Sequence, residues 1–107
     1  MQSTIEVVTF NLKPGITAEQ LAATNDAMQT FLLAQDGFLY RSTSCDDEGL
    51  WFDIIYWRDR AAAKAGGEAF MASDIGAQVM GMVEEASCKL RHMDAVSETL
   101  NCEDKAA

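Results

Sequence analysis

The stretch Leu50-Trp51-Phe52-Asp53-Ile54-Ile55-Tyr56-Trp57 constrains this chain more than any other. Its eight residues hold both tryptophans, one of the two tyrosines and a single carboxylate among apolar neighbours. Asp-Asp-Glu-Gly precedes the run and Arg-Asp follows it. A segment so rich in aromatic and β-branched side chains, bounded by polar breaks, reads as a strand covered on both faces. Alternation sets Leu50, Phe52, Ile54 and Tyr56 on one face and Trp51, Asp53, Ile55 and Trp57 on the other. A carboxylate buried beside two indoles is costly unless a partner or a wet cavity compensates it. Asp53 is therefore the leading candidate for chemistry.

The rest of the chain supplies partners for this strand. Thr4 to Leu12 alternates, with Glu6, Val8, Phe10 and Leu12 against Ile5, Val7, Thr9 and Asn11, and the Pro14-Gly15 turn closes this first strand. Thr17 and Gln20 fit a capping box, and apolar spacing then predicts one helix running to about Gln35 and stopping at Gly37. Phe38 to Cys45 is a second strand with polar alternates, which suits a sheet edge, and Asp46 to Gly49 is a hairpin loop. Asp59 is placed to cap an alanine-rich helix carrying Phe70 and Met71. Gly66-Gly67 should weaken or bend that helix, since each glycine costs ~1 kcal/mol against alanine. Ser73 or Asp74 restarts it, with Ile75, Val79, Met82 and Val83 as its apolar face. Ser87 to Val96 alternates as a fourth strand. Residues 1–96 thus form one domain and 97–107 an acidic tail.

The order βαββαβ is that of a ferredoxin-like α+β sandwich, an antiparallel four-stranded sheet with helices on one face. A strand apolar on both faces, with helices for only one, calls for a second copy on the other, so a homodimer joined through the sheet is expected. Val8 and Ile54 are the two alternatives for a position on that shared face. A net charge of −9 excludes the basic patches that nucleic acid or an anionic membrane would need. No apolar run approaches the ~20 residues of a membrane span. The N-terminus opens on a strand pattern rather than a basic-then-apolar leader, and a cytoplasmic protein is expected. Cys45, Cys88 and Cys102 are odd in number and lack a C-x-x-C pattern, which suits reduced thiols rather than disulfides or a zinc site.

Ile5–Gly15 (IEVVTFNLKPG), Gly37-Phe38-Leu39, Asp53–Arg58 (DIIYWR) leading into the alanine-rich helix with Phe70, and the final Arg91-His92-Met93 together resemble the dimeric α/β-barrel superfamily. Within it, the antibiotic-biosynthesis-monooxygenase-like domains are the nearest pattern, covering roughly residues 4 to 96. The resemblance implies the sheet-to-sheet dimer and a choice among cofactor-independent oxygenation of aromatic polyketides, haem degradation, and decarboxylation or isomerisation of small ring compounds. The polyketide oxygenases are similar in carrying an Asn four residues before a Trp; here those positions are Asp53 and Trp57. Their arginine from the later helix segment has no counterpart, because 72–86 contains no basic residue. The haem-degrading relatives need a helix histidine, whereas His92, the single histidine, falls on the fourth strand.

Asp53 is read either as a structural carboxylate held by Arg41, Tyr40 or backbone amides, or as a general base in a pocket. His92 joins it as the second catalytic candidate. Trp51, Trp57, Phe70 and Met71 are the candidate ligand-binding walls, with core filling as the alternative role. No metal and no cofactor is implied. Three functions remain open: a pocket for a flat apolar small molecule between sheet and second helix, a cofactor-independent monooxygenase or isomerase using Asp53 as base, and a non-catalytic structural dimer.

Overall fold

The structure, a computed structural model, describes residues 2–101. Four antiparallel strands make one sheet: β1 (Thr4–Phe10), β2 (Phe38–Cys45), β3 (Trp51–Trp57) and β4 (Lys89–Asp94), in the order β2-β3-β1-β4. The helices α1 (Ala18–Ala22), α2 (Asn25–Leu33), α3 (Arg60–Met71) and α4 (Asp74–Met80) complete the ferredoxin-like α+β sandwich. No helix among the described residues is long and apolar enough to cross a membrane. The acidic tail expected from Ser97 starts as exposed chain without helix or strand, and its part from Cys102 onward lies outside the described residues.

The aromatic strand sits in the middle of the sheet, between β2 and β1, as its two apolar faces require. Its pairing fixes which residues share a face. Thr4, Glu6, Val8 and Phe10 lie opposite Trp57, Ile55, Asp53 and Trp51. Ile55 and Trp57 are buried under the helices, so this whole set is the helix side. Ile5, Val7, Thr9, Phe52, Ile54 and Tyr56 form the other face and carry no helix among the described residues; all six are half-buried. Ile54 therefore stands where the sequence placed one alternative. Val8 does not: it pairs with Asp53 and faces the helices.

The local signals at the helix starts hold. Thr17 and Gln20 form the capping box, Asp59 accepts from the Ala62 amide at 2.8 Å, and Ser73 accepts from the Gly76 amide at 3.0 Å. The helix expected to run unbroken from Thr17 to Gln35 is instead two, divided at Ala23-Thr24. Thr24, buried, donates its hydroxyl to the Leu21 carbonyl at 2.6 Å and so competes with the helical ladder. The break also lets Leu21 pack with Phe10 and Val83 while Met28 and Leu32 pack with Ile55 and Trp57. At the other end of the chain, α4 stops at Met80, and Val83 forms a bridge with Leu12 rather than extending the helix face. The first strand proper ends at Phe10; Ser87, expected to begin β4, closes a 3-10 turn over Glu85–Ser87, and β4 itself spans Lys89–Asp94 rather than Ser87 to Val96.

Gly66-Gly67 does not interrupt α3, which is continuous over twelve residues. The two glycines do different jobs. A Cβ at Gly66 would overlap the six-membered ring of Trp57, whereas a Cβ at Gly67 would meet nothing within 4 Å. Gly66, with buried Ala62 and Ala63, brings the helix down onto the indole. Packing a large buried aromatic recovers the backbone penalty at that one position. Two single substitutions should then move stability in opposite directions. Gly67→Ala should stabilise by about 0.5–1 kcal/mol. Gly66→Ala should destabilise by about 1–3 kcal/mol through overpacking. Urea denaturation of both variants checks this; equal shifts of the same sign would contradict it.

Candidate functional site

Between the helix side of the sheet and the helices lies a cavity of about 690 Å³. Its walls are apolar, with Met28 and Phe31 from α2, Phe70 and Met71 from α3, and Val79 and Met80 from α4. Its floor is the sheet, and there the polar groups gather. Arg41, Ile55, Glu6 and His92 are successive cross-strand partners in one row; Thr43, Asp53, Val8 and Leu90 make the next. All eight line the cavity.

Asp53 is held on the β2 side of this floor. Arg41 donates from Nε to Asp53 Oδ1 at 2.8 Å and from Nη2 to Oδ2 at 3.4 Å, and the Thr43 hydroxyl donates to Oδ1 at 3.1 Å. Both side chains of the ion pair are under one-fifth exposed. On the β4 side, Glu6 Oε1 lies 3.0 Å from His92 Nε2. Glu6 and Asp53 are diagonal neighbours on adjacent strands, so their charges would repel if left alone. Each instead has its own cationic or donor partner, on the edge strand beyond it.

Trp57 adds an open valence. It is 2% exposed, and its indole Nε1 is buried without a hydrogen-bond partner among the described residues. Phe38 packs edge-on against it at 5.9 Å. An unpartnered buried donor costs about 1–3 kcal/mol, which the burial of so large a ring offsets.

Of the residues singled out from sequence, Asp53, His92, Trp57, Phe70 and Met71 lie around this cavity. Trp51 is not among its lining residues; it stacks on Phe10 with ring centroids 6.5 Å apart, in a separate apolar cluster with Leu21 and Val83. The sequence left out Glu6 and Thr43, and gave Arg41 only as a possible partner of Asp53. Glu6 carried the same signal as Asp53, one carboxylate on an otherwise apolar strand face, but its approach to His92 depends on the β1–β4 register. The arginine missing from the later helix segment is matched in charge by Arg41, which enters the cavity from β2. No cluster of three or more metal-ligating side chains exists among the described residues. Cys45 is exposed and Cys88 lines the cavity, where burial pushes its thiol up.

Removing one member of the Asp53 pair should cost more than removing both. Arg41→Met leaves a poorly solvated carboxylate and should lose about 1–3 kcal/mol. The double variant Arg41→Met/Asp53→Leu should recover most of that loss. Chemical denaturation of the single and double variants measures the difference.

No family model matches the chain, and no curated protein matches it in sequence. Solved structures do match. A monooxygenase from the gene ActVA-Orf6 of Streptomyces coelicolor, in complex with the ligand nanaomycin D, superposes with a TM-score of 0.73 at 16% identity, covering 94% of this chain and 93% of that one. SnoaB, a cofactor-independent oxygenase from Streptomyces nogalater, matches with a TM-score of 0.62 at 13% identity, covering 96% and 100%. NE2512, a protein of unknown function from Nitrosomonas europaea, matches with a TM-score of 0.68 at 17% identity, covering 96% and 98%. At these identities the likeness is one of fold. The chain thus has the ferredoxin-like fold of the antibiotic-biosynthesis-monooxygenase-like proteins, the branch of the dimeric α/β-barrel superfamily that its sequence pattern resembles.

Proposed function

We propose that this protein is a homodimer that binds a flat, largely apolar small molecule between its sheet and its helices. The cavity carries this conclusion: about 690 Å³ of space with apolar walls and a polar floor. That volume is in the range of small-molecule sites. It also weighs against a purely structural dimer, whose own side chains would fill the space. The donors on the floor, Arg41 and Thr43, favour a ligand with an acceptor oxygen, such as a ketone, and its acceptors favour a ligand that also brings a hydroxyl.

A cofactor-independent monooxygenase or isomerase is the second reading, favoured by fold neighbours described as a monooxygenase and a cofactor-independent oxygenase. Asp53 is less suited to be its base. Its carboxylate accepts from Arg41 and Thr43, so the lone pairs a base would use are engaged. It serves better as the group that holds Arg41 in place.

The dimer would form through the bare sheet face of Ile5, Val7, Phe52, Ile54 and Tyr56, which no helix among the described residues covers. Light scattering at micromolar concentration should give the dimer mass, and a monomer would overturn the assignment. Ile54→Glu should dissociate the protein. Val8→Glu should leave the dimer intact and abolish ligand binding, because it places a carboxylate inside the cavity. Native mass spectrometry of freshly purified protein should detect a retained small molecule. Titration with 2-naphthol should also quench tryptophan fluorescence saturably in the wild type and not in Val8→Glu.

A further inference from the structure

Glu6 and His92 sit on the cavity floor, yet neither fills space in the apolar core nor caps an element. Their side chains are 12% and 30% exposed, and they meet through one hydrogen bond across neighbouring strands. When His92 Nε2 donates to the Glu6 carboxylate, the ring's other nitrogen, Nδ1, has no partner among the described residues. The arrangement has two of the parts of a carboxylate-oriented base: an imidazole held by a carboxylate on one side and free on the other.

We propose that the Glu6–His92 pair is the proton-accepting unit of the cavity, acting on a planar ring ketone with an acidic C–H beside its carbonyl. The proposal rests on the pocket reading above and adds chemistry to it. His92 is the catalytic residue and Glu6 positions it. The Nδ1 lone pair takes the proton from the carbon next to the carbonyl. The C–H electron pair becomes the C=C π bond, and the carbonyl π pair moves onto oxygen to give an enolate. The Glu6 carboxylate compensates the imidazolium that forms. Return of the proton to the same carbon, or to a conjugated one, completes an exchange or an isomerisation without any oxidant or reductant.

The floor geometry suits that step. His92 is bonded to Glu6 of β1, and Arg41 to Asp53 of β3. These two strands are neighbours, ~4.8 Å apart, so the imidazole and the guanidinium are held by diagonally adjacent carboxylates on one cavity floor. Arg41 uses Nε and Nη2 on Asp53 and leaves Nη1 available to donate to an enolate oxygen. Preorganised donors of this kind lower the cost of charge developing on oxygen.

The test uses 2-tetralone in D₂O, with exchange of its C1 protons followed by ¹H NMR. The wild type should accelerate exchange about 10²–10⁴-fold over buffer, the range of general-base catalysis. His92→Gln should return exchange to the buffer rate, and added imidazole should restore part of it in His92→Ala. Glu6→Gln keeps a hydrogen-bonding group and removes the charge. It should slow exchange at saturation while leaving the 2-tetralone Kd from tryptophan quenching unchanged, and Glu6→Asp should regain part of the rate. If 2-tetralone and 2-naphthol bind but exchange runs no faster than in buffer, proton transfer is overturned and the pocket stands. Full exchange in folded His92→Gln or Glu6→Gln overturns it equally. If neither compound binds, the pocket reading falls and this proposal with it.

Discussion

The seating of Trp57 on α3 sets the spacing from which the rest follows. Its ring occupies the place a side chain at Gly66 would take, flanked by Phe38 and lying on the alanine face of the helix. A buried aromatic of this size contributes several times what a glycine costs in a helix, so the contact is retained where propensity alone would break the helix. Once α3 is pinned at that end, its later residues Phe70 and Met71 stand over the sheet floor, with Phe31 packed edge-on against Phe70 at 5.9 Å. The cavity lies between the layers that this contact holds together.

Its floor then poses an electrostatic constraint. Two carboxylates on adjacent central strands face a space walled mostly by methyl and aromatic groups. Neither is tolerable there without compensation. The two edge strands supply it, Arg41 and Thr43 from β2 and His92 from β4. The pairs differ in kind. Asp53 is gripped by a guanidinium, which only donates, and this makes it an anchor. Glu6 meets an imidazole, whose ring nitrogens can both donate and accept, and this suits it to be a partner for proton movement. A single polar band across the sheet therefore carries a guanidinium-held carboxylate at one end and an imidazole-bonded one at the other.

Much of this was legible in the chain itself. Thr17, Asp59 and Ser73 announced their helices because caps are local, and the alternation of residues 50–57 settled which side chains share a face because strand period is fixed. The polar alternates of Phe38 to Cys45 marked that strand as a sheet edge, where the strand order puts it. The resemblance of its DIIYWR segment pointed to the fold that the solved structures share. Asp53 stood out because one carboxylate in an apolar run demands a partner, whatever the fold.

Tertiary structure decided the rest, for reasons that no local pattern contains. The break at Thr24 arises because Leu21 and Met28 belong to different apolar clusters. Gly66 is kept in a continuous helix because an indole from another element fills its missing side chain. Val8 and Ile54 are equivalent by composition, and only the pairing with Asp53 sends Val8 to the cavity. Trp51 and Trp57 share a strand face, yet one stacks on Phe10 and the other joins the cavity wall, because the helices above them differ. Glu6 and His92 are 86 positions apart, and only the β1–β4 register makes them a pair. The sequence by itself determined the elements, their order and the parity of each strand, since these follow from short-range periods and caps. Which carboxylate is an anchor and which has an ionisable partner was decided by register between distant strands, a quantity set by packing alone.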